Sequence, residues 1–135
     1  MKLKPIAGTI CLMAGMAIYV LFRTNKLLGF SVAESMGLAP VINRLRCATA
    51  HLQPPYFVKF CLPDMLWTTA YMLFIDHVFE KHRLKQRWLW ASIIPLVGIL
   101  SELLQIPHIV PGTFDALDLL AYLLPLLVYT IIINL

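Results

Sequence analysis

The chain has 135 residues, 60% apolar and 13% charged, with a formal net charge of +4; soluble domains run nearer about 45–50% apolar and about 25% charged. Four membrane spans of roughly 20 apolar residues each would use most of such a chain, so a large soluble catalytic or nucleic-acid-binding domain is excluded. The surplus of Lys and Arg then reads as a signal of membrane orientation, not as a footprint for nucleic acid.

The first apolar stretch runs from about residue 5 to 22 and is flanked by Lys2, Lys4, Arg23 and Lys26. Gly15-Met16-Ala17 offers a small-x-small cleavage site. Cleavage there would leave Ile18 to Phe22 as an apolar stub, so a retained span is expected. Pro40 next opens a short amphipathic helix over about 40–52. Its apolar stripe is Val41, Ile42, Leu45, Ala48 and Leu52, and Asn43, Arg44 and Arg46 lie on the other side. Such a helix either lies in the headgroup layer with its arginines on phosphates or lids a site beneath it. Pro54-Pro55 breaks the chain. Three further apolar stretches follow at about 60–79, 88–105 and 116–135, and helices are expected because they satisfy their own backbone in lipid. The expected fold is all-α: one domain over 1–135, an integral membrane four-helix bundle with a short amphipathic interfacial helix between spans one and two.

Orientation is read from the loop Glu80 to Arg87, which packs Lys81, Arg83, Lys85 and Arg87 between spans two and three. A dense, short basic loop is expected in the cytoplasm. Both termini then lie inside, and the 23–59 and 106–115 connections outside. The bare count, six Lys and Arg inside against five outside, is nearly balanced; the short loop carries more weight because long loops translocate largely regardless of charge. Trp88 and Trp90 would sit at the inner interface as an aromatic belt.

Polar residues within the spans point to a site. Span two carries Asp64, with Thr68 and Tyr71 on the same face and Trp67 beside it; span three ends on Glu102 and Gln105; span four opens with Asp115 and Asp118 and continues through Tyr122 and Tyr129. Acids at membrane depth are costly and turn toward one another or a cavity, so a common cavity at the outer leaflet is expected. Plainer readings stand beside it: Asp115 and Asp64 as helix caps, Glu102 and Gln105 as polar glue between helices, Asp76-His77 as an interfacial salt bridge. Glu102, His108, Asp115 and Asp118 are metal-ligating types, but no compact His or Cys spacing accompanies them, and Ser101 with His108 straddles a Pro-containing turn. No metal, cofactor or glycine-rich phosphate motif is expected. Cys11 reads as apolar filler, and Cys47 and Cys61, both on the outer side, are candidates for a disulfide.

Ser101-Glu-Leu-Leu-Gln105, then Pro111-Gly-Thr-Phe-Asp115 and Asp118-Leu-Leu-Ala-Tyr122, resemble the signature of VanZ-like membrane proteins, in which a Glu-x-x-Gln ends one span and an Asp opens the next. Leu62-Pro-Asp-Met-Leu-Trp67 resembles the Pro-Asp-x-x-Trp entry of small bacterial relatives. Many members carry a Gly-Arg pair in the turn; here Pro111-Gly112 lacks the arginine. The resemblance covers about residues 60–135 and implies a small helical bundle in the bacterial cytoplasmic membrane, in a family whose namesake is associated with teicoplanin resistance and which has no established reaction. Two function classes follow. In one, the outer acidic cavity binds a polar or cationic group of an amphipathic envelope-related molecule, with Glu102, Asp115 and Asp118 as acceptors and Gln105, Tyr122, Trp67 and Asp64 lining it. In the other, the chain is an accessory or assembly subunit whose acids pair with basic residues of another membrane protein. An enzyme or transporter is less well supported, four short spans without a repeat being slender for alternating access.

Overall fold

The computed structural model describes residues 3–23 and 28–134; Lys2 and Lys26, two of the basic residues in the orientation count, and Leu135, the last residue of the fourth stretch, lie outside them. The architecture is all-helical, and no strand occurs among the described residues. The elements are α1 (Leu3–Phe22), α2 (Leu28–Ser35), α3 (Ala39–Thr49), a π-helical turn (Phe57–Cys61), α4 (Leu62–Val78), α5 (Leu84–Gln105) and α6 (Ala116–Asn134). Three of them, α1, α5 and α6, are long and apolar enough to cross a membrane. Their exposed residues fit that reading: Ile10, Met13, Ile94, Val97, Leu127 and Ile131 are all large, apolar and uncovered.

α4 occupies the centre, with α1 against one side and α5 and α6 against the other. Its 17 residues are short for a span, yet the π turn runs into it without a break. Together they form 22 residues of continuous helix, a rise of about 33 Å at α-helical geometry. The wide turn has a cause in the sequence. Pro63 has no N–H to donate four residues back and its ring crowds the carbonyl there; the preceding Leu62 N–H instead reaches the carbonyl of Phe57, a π-type bond.

Close packing around α4 relies on small residues. Gly8 and Gly15 are buried against it: a Cβ at Gly8 would meet the Phe74 ring at 3.2 Å, and one at Gly15 the Trp67 indole nitrogen at 2.7 Å. On the other side Met72, Ala91 and Leu126 form the apolar core, with Tyr71, Ile75, Ile99 and Tyr129 packed around it. Pro95 and Pro125 fall inside α5 and α6, which continue through them.

One buried carboxylate joins all four long helices. Asp76 of α4 is 4% exposed. It receives Lys4 of α1 at 2.7 Å, the Arg87 guanidinium of α5 at 2.6 and 2.9 Å and the Tyr129 hydroxyl of α6 at 2.8 Å. Lys4 also faces Glu80 at 3.5 Å. The sequence suggests interfacial salt bridging at Asp76-His77; Asp76 pairs with Lys4 and with Arg87 of the basic loop, and His77 approaches Glu80 at 3.7 Å.

The 23–59 connection holds two helices where the sequence suggested one. In α3, Val41 and Leu45 of the apolar stripe are exposed, whereas Ile42 of that stripe, Thr49 on its flank and Arg46 are half-buried. Arg46, expected on the polar side, donates to the carbonyl of Val20 at 2.7 Å and to that of Arg23. It thereby satisfies carbonyls that the last turn of α1 leaves without a helical donor.

Candidate functional site

The two ends of the bundle differ in charge. α1 and α5 run antiparallel to α4, and α6 runs parallel to it, as the Asp76 contacts at one end and Arg23–Asp64 and Cys61–Leu117 at the other require. Asp64, Glu102, Asp115 and Asp118 therefore come to the end opposite Asp76.

The α5–α6 connection is built around Glu102, which is 8% exposed. Its Oε1 accepts the Gln105 side-chain N–H at 3.2 Å and its Oε2 the Asp115 backbone N–H at 3.4 Å. Both contacts are long for bonds to a charged acceptor. The turn closes through His108, at φ 58°, and Gly112, at φ 139°. A Cβ at Gly112 would lie 2.9 Å from the Gln105 amide carbon, so a glycine is needed for both its backbone angle and its space.

Asp115 caps α6. Its backbone carbonyl accepts the Leu119 N–H at 3.1 Å and its Oδ1 the Leu117 N–H at 2.9 Å. Its Oδ2 accepts the Tyr56 hydroxyl at 2.7 Å, tying the start of α6 to the segment before the π turn. The Leu117 N–H first, and the Tyr56 hydroxyl second, hold the Asp115 carboxyl below the usual carboxylate range. The same bond pushes the Tyr56 phenol up.

Asp64 faces Arg23, 3.8 Å away, and lies within electrostatic reach of Glu102. Asp118 is half-buried one turn into α6, in reach of Asp64, Glu102, Asp115 and Arg23. Tyr122, one turn further, lies over Gly98 of α5, where a Cβ would come 2.6 Å from its ring. Trp67 packs on Tyr19 with ring centroids 5.2 Å apart. The Arg23 guanidinium stands 5.1 Å from the Phe60 ring centroid and 5.6 Å from that of Tyr19, a cation–π setting.

Three side-chain atoms at this end are buried and make no hydrogen bond among the described residues: Arg23 Nε, Trp67 Nε1 and Gln105 Oε1. Leaving such a group unpaired costs about 1–3 kcal/mol.

All seven residues singled out from the sequence thus lie toward one end. Glu102, Gln105 and Asp115 form one connected network; Asp64 and Trp67 stand on the α1 side, Asp118 and Tyr122 between the two. Tyr129 does not join them; it continues the face of α6 to the opposite end and bonds Asp76. Arg23, Tyr56 and Cys61 were not anticipated there. Arg23 had been counted only as a loop charge, although its place directly after an apolar stretch is the available hint. Cys61 is buried and its Sγ lies 3.0 Å from the Leu117 carbonyl, while Cys47 is exposed and both are free thiols; the candidate disulfide is not formed. Among the described residues no three His, Cys, Asp or Glu side chains are grouped to hold a metal ion.

Comparison with family models, with curated proteins and with solved structures finds no match to this chain.

Proposed function

We propose that the chain is a VanZ-like integral membrane protein of the bacterial cytoplasmic membrane. In this reading α4 with its π turn is the second of four spans, α3 lies at the interface, both termini are cytoplasmic, and the acid-rich end at the outer leaflet binds a polar or cationic group of an amphipathic envelope-related ligand. The observation that carries the reading is the coincidence of unpaired polar atoms with a cluster of carboxylates. Arg23 Nε, Trp67 Nε1 and Gln105 Oε1 lack partners at the end where Asp64, Glu102, Asp115 and Asp118 gather, with Arg23 in reach of Asp64 and Asp118. Two orphaned donors and one orphaned acceptor, with acids around them, suit a ligand carrying both hydroxyl and amine groups. The three orphans come from the end of α1, from α4 and from α5, so such a ligand would bridge the two sides of the central helix.

The test uses the whole protein in phosphatidylcholine nanodiscs with a fluorescent long-chain alkylamine as probe. Wild-type protein is expected to bind it saturably. Glu102→Gln and Asp118→Asn should each weaken binding about tenfold, the loss of one charge-assisted bond, without changing helix content. Unchanged binding in both variants overturns the site.

A further inference from the structure

The opposite end of the bundle carries a second candidate site, independent of the acid-rich one. Between the first turn of α5 and the last turn of α6 lies a cleft of about 300 Å³ lined by Leu84, Lys85, Trp88, Thr130, Ile133 and Asn134. Lys85 is the one ionisable residue of that lining. Of the neighbouring acids, Asp76 is engaged by Lys4 and Arg87, and Glu80 faces Lys4 at 3.5 Å. The four cations of the 80–87 loop are therefore divided. Arg87 turns in to Asp76, whereas Lys81, Arg83 and Lys85 are exposed and form no ion pair with a described residue.

We infer that this cleft seats the phosphate of an anionic glycerophospholipid, with Lys85 at its rim and the indole of Trp88 as its wall. Trp88 Nε1 is committed to the Thr130 hydroxyl at 2.9 Å, which fixes the ring in place and leaves it nothing to donate. Asn134 spends one amide hydrogen on the Thr130 carbonyl at 2.7 Å and keeps the other. The first-turn N–H groups of Leu84 and Lys85 have no intrahelical acceptor, and Arg83, which precedes them, makes no side-chain cap. An anion at the rim thus meets an ammonium and free N–H groups. Leu84, Ile133 and the indole line the same cleft with apolar surface, which suits glycerol and the first acyl carbons and gives a bare phosphate ion nothing. Aromatic residues and basic clusters of this kind belong to the level of lipid headgroups.

The test is native mass spectrometry of the full chain in mild detergent, incubated with phosphatidylglycerol, phosphatidylcholine or inorganic phosphate. Phosphatidylglycerol is expected to be retained in preference to phosphatidylcholine. Lys85→Gln, at an exposed position, should lower that preference about fivefold, the worth of one interfacial cation, while Arg44→Gln on α3 leaves it unchanged. Equal retention of the two lipids, or a preference that survives Lys85→Gln and Arg83→Gln together, overturns the inference. Displacement of the lipid by millimolar inorganic phosphate overturns it too, because the cleft would then be reading a free anion.

Discussion

At Asp115 the two carboxylate oxygens face different partners, the Leu117 N–H and the Tyr56 hydroxyl. Both favour the charged form, so the folded pKa lies below the unfolded value near 4. The stability that Asp115 contributes is accordingly present above about pH 4 and lost as the pH falls through its lowered folded pKa. Tyr56→Phe should raise the Asp115 midpoint yet leave it below the ordinary range, since the stronger Leu117 bond remains. Residue-specific carbon NMR titration in micelles checks this, and an unmoved midpoint would remove Tyr56 as a partner. Asp115→Ala should destabilise the start of α6 by about 1 kcal/mol, whereas Asp115→Asn keeps the cap. Gly112→Ala places a methyl against Gln105 at a left-handed φ; a cost of about 1–3 kcal/mol is expected, read as a drop in thermal midpoint. The sequence showed the Glu-x-x-Gln and Asp-x-x-Asp spacing but not which residues connect. Tyr56 reaches Asp115 from 59 positions away, a pairing no local pattern encodes.

The helices α1, α5 and α6 were legible because most of each faces outward, so their sequences are apolar nearly all round. α4 was harder to read. Other helices cover it, and it can therefore carry Asp64 and Asp76 where a lipid-facing helix could not. The π turn before it begins at Phe57, three residues ahead of the start expected for the second span, because Pro63 widens the helix instead of ending it. On α3 it is Arg46 that departs from its hydropathic reading. Hydropathy sorts Arg46 to the polar side, but its partners are backbone carbonyls at the end of α1, which leave no mark in a sequence. The α1–α4 contact invites a direct test. Gly15→Leu would drive a side chain into the Trp67 indole and the Pro63 carbonyl. It is expected to detach α1 from α4, seen as new protease cleavage between residues 23 and 39 and a lower thermal midpoint; Met16→Leu, at the neighbouring exposed position, should not detach them.

For the molecule as a whole, the distribution of thiols gives a measure of orientation. Cys47 is exposed on α3, while Cys61 is fully buried. In the proposed topology Cys47 reacts with a membrane-impermeant maleimide in intact cells; labelling only after lysis would invert the assignment and place the acid-rich end in the cytoplasm. Stability of the assembled bundle should depend most on Asp76. Asp76→Asn leaves Arg87 without its countercharge and is expected to cost about 3–5 kcal/mol, measured by denaturant unfolding in mixed micelles; Lys4→Ala, whose side chain is 32% exposed, should cost less. The same carboxylate bears on the order in which the bundle is made. Lys4 precedes Asp76 in the chain, and Arg87 follows it by 11 residues, so during synthesis the charge acquires both cations once the α4–α5 hairpin has emerged. α6 adds only a neutral hydroxyl, from Tyr129. α6, which emerges after that hairpin, can thus join a core in which the Asp76 charge is already paired.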